Sequence, residues 1–353
     1  VIKLLVIDDS ALMRRLMAAI FSATGEFEVF VARSGTEALA MLDAVAPDVV
    51  TLDVHMPDMD GLVCLDRIML QRPCPVVMIS AMTADGASTT LDAIALGAVD
   101  FIPKPKGAVS LEIEALAPEL VERVKAASRA HISPTLRLRE RIRAQVAALR
   151  PAAALASARA AQDRVGVVLV GCSTGGPAAL DIVLTELPAA FPWPVVIAQH
   201  MPASFTGALA QRLDRICQLA VSEVNRTTPL RAGHAYIGCG SADLVLARRD
   251  QDLVAMPAPS STAHLWHPSV DRLVESAMRV VPAHSLTGVL MTGMGSDGAA
   301  AMTELRARGG HTLAEAADTA TVWGMPGALV AQGGAAQVLP VYDIAAALVA
   351  HIG

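Results

Sequence analysis

Three residues of this chain have the types a hydrolase uses, and each follows an apolar run: Ser173, His200 and Asp297. Ser173 lies in Gly171-Cys172-Ser173-Thr174-Gly175-Gly176-Pro177, directly after Val167-Val168-Leu169-Val170. The β-branched run reads as a buried parallel strand, and Pro177 with the pattern through Leu184 reads as a helix with proline in its first turn. A serine on so sharp a turn stands proud of the sheet edge, where the helix N-terminus favours developing negative charge. The letters from Gly171 to Gly175 satisfy G-x-S-x-G, although glycine-rich strand–helix turns also bind phosphate or simply turn the chain.

A nucleophilic serine needs a base, and the base an orienting acid. The predicted strand 194–198 ends at Gln199-His200-Met201-Pro202. The predicted strand 286–291 ends at Thr292-Gly293-Met294-Gly295-Ser296-Asp297-Gly298. In a parallel sheet these C-terminal ends share one edge, where open α/β folds gather their sites. The chain order Ser, His, Asp differs from the three familiar triad orders, which disfavours an ordinary α/β-hydrolase. Asp297 has a second reading, as N-cap of the helix that begins at Gly298. Of the nine histidines, His131 and His351 fall in polar or terminal places. His234, His264, His267, His284 and His311 have no partner that the sequence assigns.

The elements that must position these groups form two α/β repeats. In the first half, strands are predicted at 3–7, 27–31, 48–52, 75–79 and 98–102. A helix follows Ser10 with Leu12, Met13, Leu16, Met17 and Ile20 on one face, and a second spans 35–45 with Ala38, Leu39 and Leu42 inward. Five β/α units of this size make one doubly wound domain. Its strand ends carry Asp8, Asp9 and Asp53, with Ser80 and Lys104 nearby. Three carboxylates at close quarters repel, so a cation is expected among them. Oxygen ligands with open positions suit Mg²⁺, which keeps waters and takes a phosphate oxygen. A carboxylate beside Mg²⁺ and a lysine can attack a phosphoryl group, because the cations neutralise the crowded oxygens.

At 353 residues two domains are expected, and a composition 53% hydrophobic supplies large aliphatic cores. The net charge of −6 argues against general nucleic-acid binding. The five cysteines show neither metal spacing nor a paired framework and read as reduced thiols of a cytoplasmic protein. No secretory leader and no membrane-inserted segment are expected. Residues 129–164 contain no glycine or aromatic residue and hold eight arginines against Glu140 and Asp163. This Ala/Arg-rich linker reads as a semi-rigid spacer, with its best helix between Pro134 and Pro151, or as a docking helix. The expected boundaries are 1–128, 129–164 and 165–353.

The segments Val6-Ile7-Asp8-Asp9-Ser10, Leu52-Asp53-Val54-His55-Met56-Pro57-Asp58-Met59-Asp60-Gly61 and Phe101-Ile102-Pro103-Lys104-Pro105 resemble a response-regulator receiver domain, a flavodoxin-like fold with a five-stranded parallel sheet. The resemblance implies that Asp53 accepts a phosphoryl group. It implies that Asp8, Asp9, Asp53 and the His55 carbonyl bind Mg²⁺, and that Ser80, Phe101 and Lys104 form the switch. Taken whole, the chain resembles the CheB family of chemotaxis protein-glutamate methylesterases, through Gly171–Pro177, Gln199-His200-Met201, His267-Pro268-Ser269-Val270-Asp271, 292–298 and Trp323-Gly324-Met325-Pro326. His267 stands where that family often has arginine, Cys172 where it often has a small residue, and Trp323 where it often has phenylalanine.

The family resemblance implies a larger, Rossmann-like esterase domain. In it Ser173, His200 and Asp297 would demethylate receptor glutamates and deamidate certain glutamines, without a metal. Backbone amides of Met294 and Thr174 would hold the oxyanion. It also implies a methyl-accepting chemoreceptor as substrate, a histidine kinase as phosphodonor, and a receiver that covers the Ser173 edge until phosphorylated. Rival classes are a receiver-linked binding module and a small-ester hydrolase. The second half carries no helix-turn-helix signature or basic recognition helix.

Overall fold

The computed structural model describes residues 1–80, 84–104, 109–130, 166–261 and 263–352. The linker helix expected between Pro134 and Pro151 lies outside them. The chain divides into two compact units, Val1–Pro134 and Thr135–Gly353.

In the first unit, strands β1 (Ile2–Ile7), β2 (Phe27–Ala32), β3 (Val49–Asp53), β4 (Val76–Ser80) and β5 (Asp100–Pro103) form a parallel sheet in the order β2-β1-β3-β4-β5. Residues of β3 and β4 are buried throughout, as expected for strands covered by helices on both faces. Serines start the first two helices: Ser10 Oγ accepts from the Met13 amide and Ser34 Oγ from that of Glu37. The first helix, Ala11–Ala23, buries Met17 and Phe21, and Leu12 stays exposed. The face expected from the N-terminal leucine is therefore rotated. The aromatic Phe21, stacked edge-on to Phe27 at 4.9 Å, sets which side of the helix meets the sheet. Leu39 of the helix Gly35–Val45 is half-buried, behind Ala38 and Leu42.

The second unit holds a seven-stranded sheet built from β6 (Val167–Cys172), β7 (Val195–Gln199), β8 (Ala220–Val224), β10 (His234–Gly238), β13 (Leu286–Leu290), β14 (His311–Glu315) and β15 (Gln337–Leu339). Their order is β15-β14-β13-β6-β7-β10-β8, and every pairing is parallel. A small antiparallel sheet, β11 (Asp243–Arg249), β12 (Asp252–Ala258) and β9 (Thr228–Pro229), is added to it. Two of its strands are seven residues long, and all three are only partly buried, with charged or polar residues among them.

The chain leaves β6 for β7 on one side and returns to β13 on the other. β6 is thus the topological switch point, where a crevice opens at the carboxyl ends of strands. No helix among the described residues is long and apolar enough to cross a membrane.

Candidate active site

Strand register delivers the serine and the histidine together. Cys172 of β6 pairs with Gln199 of β7, so the next residue on each strand, Ser173 and His200, leaves the sheet at the same level. The His200 amide donates to Cys172 O at 3.0 Å, and Gln199 Nε2 donates to the carbonyls of both Ser173 and His200. Gly175, at φ +79°, makes the turn into the helix Gly176–Thr185 that an L side chain would resist. From the other side the Ser173 amide donates to Thr292 O at 2.9 Å. Gly293 follows, and a Cβ there would lie 2.7 Å from Ser173 Cβ and 2.4 Å from Met325 Sδ. Only glycine admits this approach.

His200 Nε2 lies 2.8 Å from Asp297 Oδ2, with the imidazole almost wholly buried. With the carboxylate as acceptor, the neutral ring has its proton on Nε2 and its lone pair on Nδ1. Nδ1 is buried and has no hydrogen-bond partner, and the Ser173 hydroxyl makes none among the described residues. The free nitrogen is therefore the basic one, on the strand beside the serine. Trp266 stacks on the imidazole at 5.9 Å and 16°.

Asp297 is held by four donors. Besides His200, its oxygens accept from Ser269 Oγ at 3.1 Å, the Val270 amide at 2.7 Å and the Asp271 amide at 3.1 Å. Burial opposes its ionisation. The bond and charge of His200 and the two amides outweigh that and hold its carboxyl at about 2. The second reading of Asp297, as N-cap of its own helix, does not hold. Gly298 is the N-cap of the helix Ala299–Ala307, without a side-chain bond, and Asp297 accepts the first two amides of the helix Val270–Val280, whose N-cap is Ser269. Asp271 returns the contact, accepting the Ala301 amide of the helix after Asp297 at 3.0 Å. Each helix thus starts on an acid that belongs to the other. Burial, with the neighbouring Asp297 charge added, raises the carboxyl of Asp271.

Thr174 and Met294 are buried at this edge. The Met294 amide donates to nothing among the described residues. His264 and His267, unassigned from sequence, both find partners. His264 Nδ1 lies 3.3 Å from Ser269 Oγ, and His267 Nδ1 lies 2.8 Å from Asp243 Oδ1. Asp243 is buried and also accepts from Arg272 and from the Ser269 amide. The clues available were modest. Ser269 before a helical pattern is an N-cap signal, whereas Trp266 carried none.

In the first unit Asp8 follows β1, Asp53 ends β3 and Lys104 follows β5. Lys104 Nζ lies 2.6 Å from Asp53 Oδ2 and 3.1 Å from Asp8 Oδ2. Oxygens of Asp8, Asp9 and Asp53 fall within 4.8 Å of one another, with Asp9 exposed. Burial pushes the Asp53 carboxyl up; Lys104 pulls it back, the Asp8 charge raises it again and the His55 amide lowers it, with a net rise. Burial also opposes the Lys104 charge, but Asp53 and Asp8 overcome this and raise its ammonium. One lysine against three carboxylates leaves negative charge over, and an all-oxygen set with an exposed member fits a hydrated divalent cation. His55 sits in the following loop, its amide 3.3 Å from Asp53 Oδ1. Ser80 ends β4 and its Oγ donates to Gly86 O at 3.3 Å; Phe101 is buried in β5.

Among known families, the one described as CheB methylesterase matches residues 168–348, and the one described as response regulator receiver domain matches residues 4–114. The chain is 56% identical over 356 residues to a protein of Rhodopseudomonas palustris named protein-glutamate methylesterase/protein-glutamine glutaminase 2, spanning 99% of this chain and 97% of that one. It is 50% identical over 351 residues to the corresponding protein 3 of Rhodospirillum rubrum, spanning 98% and 95%. The crystal structure of the Thermotoga maritima CheB methylesterase catalytic domain is similar at a TM-score of 0.51 and 34% identity, covering 53% of this chain and 98% of that one.

Proposed function

This chain belongs to the CheB methylesterase family, with a response-regulator receiver in its first unit, and on that premise we propose that Ser173, His200 and Asp297 hydrolyse glutamate γ-methyl esters on chemoreceptor helices under the control of phosphorylation at Asp53. The observation that carries the assignment is the histidine: one nitrogen bound to Asp297, the other buried, unpartnered and one strand from Ser173.

Ser173 Oγ attacks the ester carbonyl carbon while its proton passes to His200 Nδ1. Asp297 keeps the ring in the tautomer with Nε2–H and stabilises the imidazolium. The carbonyl oxygen becomes an oxyanion held by the amides of Met294 and Thr174. When the intermediate collapses, the proton on Nδ1 leaves with methanol and the glutamyl group stays on Ser173. Water, deprotonated by Nδ1, repeats the attack and frees the γ-carboxylic acid. A glutamine side chain follows the same route with ammonia as the leaving group, the second activity in the names of the relatives.

In the receiver, Asp53 is the phosphoryl acceptor and Lys104 the cation beside it. Asp8, Asp9, Asp53 and the His55 carbonyl would hold Mg²⁺, which neutralises the crowded oxygens of phosphate and carboxylate. Ser80 and Phe101 report the modification through the switch, and the unphosphorylated receiver restrains the esterase, a two-state equilibrium that phosphorylation shifts. The phosphodonor is a chemotaxis-type histidine kinase, and the setting is the cytoplasm.

The test is methanol release from methylated receptor membranes by the whole chain, with and without a small phosphodonor and Mg²⁺. Release that rises with phosphodonor and disappears in Ser173→Ala is the expected outcome. Release that persists in Ser173→Ala overturns the serine mechanism.

A further inference from the structure

Behind the serine lies a buried acid that the reaction as written does not use. Glu315 ends β14, one strand beyond β13, and is 1% exposed. Its Oε2 accepts the Thr292 amide at 2.8 Å, and its Oε1 accepts from Thr319 Oγ1 at 3.1 Å. Thr292 is a hub. Its carbonyl accepts the Ser173 amide, and its hydroxyl donates to Thr174 O at 2.8 Å and accepts from the Val322 amide at 2.9 Å. Gly293 extends the lattice, donating to Val322 O and accepting from the amides of Gly324 and Met325. Trp323 Nε1 closes it on Glu315 O at 2.9 Å. One side chain therefore anchors the backbone from which both Ser173 and the Thr174 and Met294 amides project.

We propose that Glu315 is a positioning residue for the esterase: through Thr292 it fixes the spacing between the nucleophile and the two oxyanion amides. The inference rests on the triad assignment above. Glu315 has no ion-pair partner among the described residues. The titratable groups that face it are Asp318 and the Cys172 thiol, neither of them cationic. Burial therefore dominates, with some relief from the Thr292 amide and the Thr319 hydroxyl and a small opposing push from Asp318, and its carboxyl rises to about 7. Below that pH a neutral acid performs the anchoring. Above it, a negative charge appears behind amides whose task is to stabilise an oxyanion, which weakens them.

Two substitutions separate these effects. Glu315→Gln keeps an acceptor for the Thr292 amide and cannot ionise; Glu315→Leu leaves that amide buried without a partner. The experiment measures kcat and KM for methyl-ester hydrolysis from pH 6 to 9. Alongside, it measures the rate at which a fluorophosphonate labels Ser173 in the whole chain. Glu315→Leu is expected to lower kcat about 10²-fold with KM within about twofold, and to slow labelling in proportion. Glu315→Gln is expected to stay within about threefold of the parent at pH 6 and to gain on it steadily above pH 7.

Wild-type kcat and labelling in Glu315→Leu, or equal damage in the two variants, would overturn the proposal. If Glu315→Leu does not fold, Thr292→Val cuts the same lattice one bond further on by removing the hydroxyl. An unchanged kcat in that variant, with no pH-dependent gain in Glu315→Gln, also defeats it. Absent methanol release with normal labelling of the parent defeats the methylesterase reading instead, and the labelling rates alone then judge Glu315.

Discussion

The rims of the two sheets carry acids at the same topological place and treat them in opposite ways. Asp53 ends its strand among two other carboxylates with a single lysine for relief, and its carboxyl is raised. Asp297, past β13, receives His200, Ser269 and two helix amides, and its carboxyl is held at about 2. One acid is left wanting a cation; the other is already satisfied by the protein. Burial opposes ionisation at both rims; the donors around Asp297 outweigh it, and Lys104 beside Asp53 does not.

The largest effect expected from breaking this contrast is at the satisfied acid. Asn at 297 cannot accept from both the imidazole and the amides with the same tautomer, so Asp297→Asn should lower kcat for methanol release about 10³- to 10⁴-fold. Added divalent metal should not restore it. At the wanting acid, Asp53→Asn should abolish stimulation by a small phosphodonor, so that the ratio of stimulated to unstimulated release falls to one. Chelation of Mg²⁺ should have the same effect on stimulation in the unmodified protein and leave unstimulated release unchanged, since the proposed attack draws only on Ser173, His200 and Asp297.

Smaller effects are read as stability against pH. Glu315 is raised from 4.5 to about 7, so its favourable contribution is complete below pH ~4.5 and is lost as pH climbs through 7. The loss is about 3 kcal/mol, and urea unfolding of Glu315→Gln should not show it. Asp297 is depressed from 3.8 to about 2, so its contribution is present above pH ~4 and lost as pH falls towards 2. That loss is about 2 kcal/mol, visible as an acid-side fall in the urea midpoint that Asp297→Asn lacks.

The strands and the residues at their ends were readable because a buried parallel strand must be an apolar run, and a polar residue at its end announces itself. Ser173, His200, Asp53 and Lys104 all stand out in this way. Glu315 ends its strand by the same rule, but His311-Thr312-Leu313-Ala314-Glu315 is polar at three of its five positions and does not stand out as a buried run. What sequence spacing cannot convey is the partner. The amides on Asp297 come from 26 and 27 residues earlier and its imidazole from 97. The Asp243–His267 pair spans 24 residues between a hairpin and a loop. The exposure of Leu12 has a related cause, since Phe21 and the sheet, not local periodicity, set the helix's rotation.

The crossed starts of the helices Val270–Val280 and Ala299–Ala307 bear on when this protein first becomes reactive. Asp297 is drawn to its working place by the first helix, and Asp271 is drawn to its place by the second. Neither contact outlives the undocking of the other helix, so a partly assembled chain has the serine and the histidine but no acid in register. Hydrolytic competence should then arrive in a single late event. During refolding, far-ultraviolet ellipticity should recover ahead of the rate at which Ser173 is labelled.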